Sequence, residues 1–479
     1  MTDPGSQGWL PHPASFRDPA GFMFHREGEL LRQVNRGFAG EFDRFLDSGL
    51  YHELSSDGLL ISHEEVDPSL AATPEGARVL RPTPIPFISH PPEWCFSQLQ
   101  AAATLTLEIQ RRSLARGMTL RDATAYNVQF LGARPVWIDT LSFGSYEEGA
   151  PWTAYGQFCS HFLAPLRVMS DLSPEAGSPG IRHLNGFPLP LASRLLPLRS
   201  RLRFSDLFHI HFHARSIERH AADADEARVR KAHLSRKAMT NLIDSLTDAV
   251  SSIRAPGEAT QWERYEEEHG YASPALRSKS ALVAELTASV EPSVIWDLGS
   301  NAGRFSSPFA DEGRRVVSID VDHGAVERAF ARSRKAQSET WLPLWIDLLC
   351  PTPSFGWAGR ERESLEDRGP ADLVLALALV HHLALSGNVS FDAMARWLAR
   401  IARSLIIEWV PPDDPQVQRL LVARGDAPAR YTREHFLRSF ATYFDIRREE
   451  SIQASDRSLF LLEGGPTSHR HDPTPVGAE

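Results

Sequence analysis

The stretch VIWDLGSNAGRF, residues 294–305, contains the strongest structural signal in the chain. Its first five residues are apolar except for Asp297 and predict a buried β-strand. Gly299 and Gly303 follow in the turn after the strand, and glycine lets the backbone come close to a ligand. Asp297 lies at the strand end, where a carboxylate favours a cation or accepts a hydrogen bond from an amine. The stretch therefore predicts a strand followed by a ligand-binding turn.

Downstream of this stretch, apolar segments alternate with amphipathic ones. This alternation is typical of an α/β domain with a doubly wound, Rossmann-like parallel sheet. The predicted strands are residues 293–298, 316–319, 342–346, 372–378 and 404–408.

Two further aspartates end the second and third predicted strands. Asp320, seventeen residues after Gly303, is placed to accept hydrogen bonds from both hydroxyls of a ribose. Asp347 follows the third strand and can accept a hydrogen bond from the exocyclic amine of adenine. Each aspartate can instead cap the N-terminus of a helix, a role that Asp322 suits equally. Since the turn lacks the GxGxxG of dinucleotide-binding domains, the pattern favours a nucleoside without a pyrophosphate.

These residues resemble the first motif of class I S-adenosylmethionine-dependent methyltransferases. In that family an acidic residue precedes glycines at alternating positions, and Asp297, Gly299 and Gly303 match this pattern. Asn301 replaces the middle glycine, and asparagine also tolerates unusual backbone angles.

The resemblance implies that S-adenosyl-L-methionine is the cofactor of the C-terminal half. Its methionine part is expected near Gly299 and Gly303. Asp320 is expected to bind the ribose, and Asp347 with its neighbour Leu348 is expected to form the adenine pocket.

A histidine pair and a glutamate are the candidate catalytic residues. The fourth predicted strand leads into His381 and His382, and Glu408 closes the fifth. Because ligands lie beyond the carboxyl ends of strands in doubly wound sheets, we expect these side chains beside a small-molecule or biosynthetic methyl acceptor. A histidine suits the removal of a proton from a hydroxyl or amine acceptor. Alternatively, one histidine packs inward or caps a helix, and an arginine holds Glu408.

An Asp–Asn–Asp pattern marks the N-terminal half. Asp122 and Asn127 are five positions apart, and Asp139 follows after a predicted β-hairpin. This pattern is similar to the catalytic core of protein kinases and small-molecule phosphotransferases, in which the first Asp is the base and the other two residues hold magnesium. Leu120 replaces the histidine of that family, no glycine-rich loop precedes it, and no lysine occurs before Lys231.

The departures predict a degenerate kinase-like domain, α+β and mostly helical, that aids recognition of the acceptor. Two alternatives stay open for this half, namely active phosphoryl transfer and aspartates that are only buried hydrogen-bonding anchors. For the whole chain a third interpretation is a non-catalytic scaffold that retains the cofactor pocket for stability.

The segment RDATAYNVQF, residues 121–130, together with the C-terminal pattern, resembles a bacterial group of nodulation-protein-like methyltransferases over about residues 22–463. The expected organisation is a flexible arm (1–20), the degenerate kinase-like domain (21–255), a linker (256–275), the methyltransferase domain (276–465) and a disordered tail (466–479).

Composition restricts the partners and the compartment. The 479 residues include 51 Lys and Arg against 61 Asp and Glu, and the net charge of -10 argues against nucleic acid. Three scattered cysteines fit a reducing cytoplasm, and no apolar run reaches the roughly 18 residues that span a bilayer. We therefore expect a cytoplasmic enzyme with no membrane partner, and the pattern leaves its oligomeric state open.

Two local patterns in the N-terminal half give further predictions. Leu30, Val34, Phe38 and Phe42 recur every four residues, which predicts one helix. In residues 208–213, histidines alternate with apolar residues, which predicts a strand whose histidines face outward and form no metal site.

Overall fold

The computed structural model describes residues 8–178, 180–181, 183–222, 234–256, 274–424 and 430–464. The chain divides into two compact units, of which the first comprises Met1–Glu258 with Ser354–Arg362 and the second comprises Ala259–Pro353 with Glu363–Glu479. The boundary after Glu258 falls inside the predicted linker. Most of that linker (257–273) and the whole predicted tail lie outside the described residues.

The short segment Ser354–Arg362 belongs to the first unit although strands of the second unit precede and follow it in sequence. Within the first unit, the Glu361 carboxylate accepts two hydrogen bonds from the Arg17 guanidinium at 2.8 and 2.7 Å. Phe355 packs edge-on against His90 with 5.2 Å between the ring centres. The sequence analysis expected contiguous domains, and such a division does not assign Ser354–Arg362 to the first unit.

The first unit begins with a five-stranded antiparallel sheet of order β1-β2-β3-β5-β4. Its strands are β1 (Leu10–Pro11), β2 (Gly21–Arg26), β3 (Glu29–Asn35), β4 (His63–Val66) and β5 (Gly76–Pro82). Because β1 pairs with β2, the described part of the predicted arm carries regular structure.

The helix predicted from Leu30 to Phe42 is wrong in its first half. Leu30 and Val34 lie on β3, and only Phe38 and Phe42 lie on a helix. A spacing of four residues fits one face of a strand as well as one face of a helix, since four is a multiple of the two-residue strand period.

A long helix and two small sheets follow. The helix α3 (Phe96–Ala115) buries Leu99, Ala102 and Ile109. The strands are β6 (Met118–Leu120), β7 (Val128–Leu131), β8 (Arg134–Trp137) and β9 (Phe143–Ser145). The predicted hairpin is confirmed, because β7 pairs with β8. The other two short strands, β6 and β9, pair with each other.

The remainder of the first unit is helical. Its other helices are α1 (Arg36–Asp47), α2 (Leu50–Ser56), α4 (Tyr155–Phe158), α5 (Ala164–Asp171), α6 (Pro174–Gly177), α7 (Leu189–Leu195), α8 (Phe204–Asp206), α9 (His213–Ala222) and α10 (Arg236–Ser252).

The strand predicted for residues 208–213 is wrong. Residues Leu207–Phe212 form a π-helical turn, and His209 and His211 are buried while Phe208 and Phe212 are exposed. The two buried imidazoles are held by hydrogen bonds at both ring nitrogens, which serine and tyrosine hydroxyls supply. Such hydrogen bonds offset the cost of burying a polar ring.

The second unit contains a seven-stranded sheet of order β12-β11-β10-β13-β14-β16-β15. Its strands are β10 (Val294–Leu298), β11 (Arg315–Asp320), β12 (Trp341–Trp345), β13 (Ala371–Ala376), β14 (Ala402–Trp409), β15 (Phe444–Ser451) and β16 (Ser458–Gly464). The first five are parallel, as predicted, and the predicted strand positions are right to within two residues.

Two antiparallel strands, β15 and β16, complete the sheet and were not predicted. β15 (FDIRREES) is mostly charged and exposed, so it lacks the apolar run that indicates a strand. The helices are α11 (Pro274–Val290), α12 (Ser307–Asp311), α13 (His323–Lys335), α14 (Phe391–Ile401), α15 (Pro415–Arg424) and α16 (Arg433–Ala441).

The strand order reverses at β10, which has β11 on one side and β13 on the other. The chain proceeds from β10 through β11 to β12, and then returns to the other side of β10 to form β13. In open α/β sheets a crevice for ligands lies beyond the carboxyl ends of the strands at such a reversal. Within the described residues, no helix combines the length and the apolar character that crossing a bilayer requires.

Candidate functional site

The turn after β10 has an unusual backbone. Gly299, Asn301 and Gly303 all adopt positive φ angles, of 71°, 49° and 73°. Side chains with a Cβ rarely adopt this region, and asparagine is one of the residues that tolerate it. A Cβ on Gly303 would lie 2.3 Å from a ring carbon of Trp341, so a larger residue does not fit there.

The Asp320 carboxylate is bound to this turn. It accepts a hydrogen bond from the backbone N–H of Asn301 at 2.7 Å and one from that of Asp322 at 2.8 Å. The backbone N–H groups of Gly299 and Ser300 both donate to the carbonyl before Asp320. Burial raises the pKa of Asp320, while the backbone N–H groups of Asp322 and Asn301 act in the opposite direction.

The helix-cap alternative for Asp320 is excluded by the start of α13. Asp322 is the N-cap residue of this helix, and its side chain accepts a hydrogen bond from the backbone N–H of Ala325 at 2.9 Å. The carboxylate of Asp320 is therefore not a helix cap and is held at the turn after β10.

Asp297 is buried in β10, one residue before the strand ends. Burial raises its pKa to about 6, although the Ser306 hydroxyl and the charge of Lys279 act to lower it. A carboxyl group with this pKa is poised to change its charge when a cation enters the site.

Asp347 has a different environment from the other two aspartates. It is exposed, two residues after β12 ends, and accepts a hydrogen bond from the backbone N–H of Leu349 at 2.8 Å. Leu348 is half-buried, and the backbone N–H of Ile346 donates to the Asp320 carbonyl at 3.0 Å. The exit of β12 therefore lies beside Asp320, whereas the Asp347 carboxylate stabilises its own loop.

The histidine pair follows β13 after a residue with positive φ, Ala378. His381 is buried and its Nδ1 has no hydrogen-bond partner among the described residues. The rings of His381 and His382 are 4.2 Å apart. Burial lowers the pKa of both, for His381 to about 2, and the nearby charge of Arg457 acts in the same direction. Both imidazoles are therefore neutral at pH 7.

Glu408 is completely buried and neutralised by two cations. Its carboxylate lies 2.5 Å from the Lys279 ammonium and 3.2 Å from the Arg457 guanidinium, and Arg457 also pairs with Asp414 at 2.8 Å. Burial raises the pKa of Glu408, but the charges of Lys279 and Arg457 outweigh it and the pKa is lowered. The sequence analysis named two roles for Glu408, a catalytic base or a carboxylate held by an arginine, and the pairing with Arg457 corresponds to the second. A carboxylate that is paired with two cations is a weak base.

Lys279 and Arg457 were missed by the sequence analysis. Lys279 is the sixth residue of α11 and Arg457 directly precedes β16, so both are distant from Glu408 along the chain. A weak signal existed for Lys279, because the chain has only four lysines and this one stands in an apolar helix. No local pattern indicates Arg457.

The N-terminal Asp–Asn–Asp residues also come together. Asp139 pairs with Arg32 of β3 at 2.6 Å and accepts a hydrogen bond from the Ser142 hydroxyl. The side-chain amide of Asn127 donates to the same hydroxyl at 3.2 Å. Burial raises the pKa of Asp122, and the charge of Asp139 adds to this effect. The guanidinium of Arg32 therefore occupies the Asp139 carboxylate, which a magnesium ion would need as a ligand.

The low pKa of His381 predicts a loss of stability in acid. Below about pH 6.5 the unfolded chain binds a proton at this position that the folded chain does not, so stability falls as the pH falls. From pH 6.5 to 5 this contribution is roughly 2 kcal/mol, at about 1.36 kcal/mol per pH unit. Between pH 6.5 and 5, the free energy of unfolding measured in urea should fall by about 2 kcal/mol less in His381→Gln than in the wild type. Equal losses would show that His381 is accessible to protons in the folded state.

No protein-family model matches the chain. Among solved structures, it resembles magnesium protoporphyrin IX methyltransferase (ChlM) from Synechocystis PCC 6803 with bound SAH, at 19% identity, over 43% of this chain and 95% of that one, with a TM-score of 0.32. It also resembles the N-methyltransferase NodS from Bradyrhizobium japonicum WM9, at 15% identity, over 40% of this chain and 98% of that one, with a TM-score of 0.30. The bifunctional kinase-methyltransferase WbdD matches at 16% identity over 45% of each chain, with a TM-score of 0.29.

A curated relative covers nearly the whole chain. The nodulation protein NoeA of Rhizobium meliloti (strain 1021) is 34% identical over 459 residues, which are 94% of this chain and 95% of the relative. Both units therefore fall within the match. At this identity over almost the full length, the chain belongs to the family of the nodulation protein NoeA.

Proposed function

We propose that the second unit binds S-adenosylmethionine and transfers its methyl group to a small-molecule acceptor. The observation that carries the proposal is the hydrogen bond between Asp320 and the backbone of Asn301. It fixes a carboxylate against a glycine-rich turn at the reversal of the strand order. A carboxylate in this place accepts hydrogen bonds from ribose hydroxyls.

The residues around the turn fit this cofactor. Gly299 and Gly303 allow the positive-φ backbone that curves the turn around the end of β10, and Gly303 also leaves room for the Trp341 ring. Asp297 and Asp320 supply acidic groups, which suit a cationic ligand without phosphate and would repel the pyrophosphate of a dinucleotide. We assign Asp320 to the ribose and the half-buried Leu348, beside Asp347, to the adenine.

The bound cofactor would supply a methyl group on a positively charged sulfur, with a neutral sulfide as the leaving group. The protein has to align the acceptor with that methyl group, and alignment alone contributes about 7–11 kcal/mol to rate enhancement. For a hydroxyl or amine acceptor, a proton must also be removed, and we assign this step to His382. Its lowered pKa keeps it neutral at pH 7, and it is less buried than His381. Glu408 serves to hold Lys279 and Arg457 in place.

The proposed function is tested by isothermal titration of the full chain with S-adenosylmethionine, with NAD and ATP as competing ligands. We expect saturable binding of S-adenosylmethionine and none of NAD, because NAD brings a pyrophosphate to an acidic turn. Transfer of a radiolabelled methyl group into a small-molecule extract then separates an enzyme from a scaffold. Binding without transfer into any fraction would favour the non-catalytic scaffold, and tight binding of NAD would refute the assignment.

His382→Gln is expected to lower the rate of methyl transfer about 10²- to 10⁴-fold, the usual contribution of a general base. Binding of S-adenosylmethionine should be unchanged, because the cofactor residues lie on other loops. The control is His435→Gln, which changes a histidine of α16, a helix that carries none of the proposed cofactor or catalytic residues. An unchanged rate in His382→Gln would remove this residue from the proton transfer.

For the first unit, we propose a role in recognising the acceptor. Phosphoryl transfer is the second candidate, and the meeting of Asp122, Asn127 and Asp139 supports it. The ion pair between Asp139 and Arg32 counts against it, because a metal ion would have to displace the guanidinium. Magnesium-dependent ATP binding that is lost in Asp139→Asn would favour phosphoryl transfer, whereas no ATP binding by the wild type would leave recognition as the role.

A further inference from the structure

Part of the first unit exposes many large apolar side chains. In the part of the chain that the structure describes, eight of the seventeen exposed large apolar residues lie between residues 191 and 217. We define the apolar patch as the five that lie on or beside α8 and the following π-helical turn. They are Leu198, Leu202, Phe204, Phe208 and Phe212.

The exposure of the patch is extreme for its residue types. Leu198 is 75% exposed, Leu202 is 89% exposed and Phe204 is 71% exposed. The phenylalanines form a continuous row, with 4.4 Å between the ring centres of Phe204 and Phe208 and 5.2 Å between those of Phe208 and Phe212. Clustered exposed apolar side chains mark interaction sites, because each would otherwise be driven into the core.

Buried polar contacts hold the segment under the patch in place. Ser200, between Leu198 and Leu202, is fully buried and hydrogen-bonds to His211 at 2.8 Å. Asp206 is fully buried and pairs with Arg167 at 2.9 Å. Because these contacts lock the backbone, the apolar side chains are held outward by the fold and are not a loosely attached loop.

The charge of the patch is opposite to that of the chain. From Leu189 to Phe212 the sequence has four arginines, and its single acidic residue, Asp206, is buried and paired. Arg199 and Arg201 lie between Leu198 and Leu202 in sequence, and both arginines are exposed. Arg194 pairs with Glu218, and Arg199 and Arg203 both pair with Asp171. Four arginines therefore face three acidic groups, which leaves a small local excess of positive charge in a chain whose net charge is -10.

We propose that the apolar patch docks this protein on the surface of a bilayer that contains anionic lipids. Projecting leucine and phenylalanine side chains enter the headgroup region, and interleaved arginines pair with lipid phosphates. Exposed leucine and phenylalanine side chains with arginines between them match the composition of surfaces that lie in the interface of an anionic membrane. This surface departs from the expectation of no membrane partner, which rested on spanning segments only.

The proposal is tested by co-sedimentation of the full chain with vesicles of phosphatidylcholine, with or without phosphatidylglycerol. We expect binding to the vesicles that contain phosphatidylglycerol. The double variant Leu202→Gln with Phe204→Gln should bind at least about tenfold more weakly, because it removes two inserting side chains. Arg201→Gln should weaken binding roughly fivefold, the effect of one charge near an anionic surface.

The matched control is Val422→Gln in the second unit, since Val422 is 82% exposed and lies outside the patch. This control should bind like the wild type. Equal binding to both kinds of vesicle, or no binding to either, would overturn the proposal. Self-association that the double variant abolishes, without vesicle binding, would show instead that a second copy of the chain covers the patch.

Discussion

Asp320→Ala is expected to lower the affinity for S-adenosylmethionine at least about 100-fold in isothermal titration. Two hydrogen bonds from ribose hydroxyls to a carboxylate would be lost, and each is worth about 1.5–3 kcal/mol. The variant also releases the backbone N–H of Asn301, which Asp320 holds at 2.7 Å, so the turn loses its anchor as well. Both effects act on the binding site, and both reduce affinity.

The matched control for this prediction is Asp322→Ala, two residues away. Asp322 caps α13 through its side chain, so its loss should cost about 1 kcal/mol of stability and leave the cofactor affinity within a few fold. If Asp320→Ala binds as tightly as the wild type, the ribose does not lie at the end of β11. Loss of affinity in both variants alike would indicate general damage to the start of α13.

The second large effect is expected at Glu408. In Glu408→Leu the ammonium of Lys279 stays buried without its partner, and breaking a buried pair in this way costs about 3–5 kcal/mol. Arg457 is affected less, because it retains Asp414 at 2.8 Å. This loss of stability is measured as the change in the free energy of unfolding in a urea titration, with tryptophan fluorescence as the signal.

The double variant Lys279→Met with Glu408→Leu should recover most of that loss. It removes both charges together and replaces them with apolar side chains, a change that is often neutral for buried pairs. A loss below about 1 kcal/mol in Glu408→Leu alone would mean that water reaches Lys279 in the folded state. Catalysis by Glu408 predicts the opposite pattern, with stability kept and methyl transfer lost.

The parallel part of the sheet could be predicted because its strands are buried on both faces. Runs such as residues 371–376 are apolar except for Asp372, and the turn after β10 contains two glycines that the backbone requires. Strand-end aspartates could be placed for the same reason, since the carboxyl ends of parallel strands meet at one edge. Asp320 accordingly lies at the turn, as the sequence suggests.

The features that could not be predicted depend on contacts between residues that are distant in sequence. Whether Glu408 is a base or an ion-pair partner is decided by Lys279, which lies 129 positions earlier on a separate helix. Similarly, the histidines near residue 210 alternate like a strand, but serines and a tyrosine from other helices hold them inside a helical turn. Local periodicity carries no information on such partners.

The place of Ser354–Arg362 in the first unit has a consequence for dissecting the protein. A single cut near Glu258 gives an N-terminal fragment in which Arg17 has lost its carboxylate partner. The complementary fragment carries Phe355 and Glu361 with their native surroundings removed. Truncations made at that point should therefore be poorly soluble when expressed separately, and co-expression of the two pieces is the better route to a stable sample.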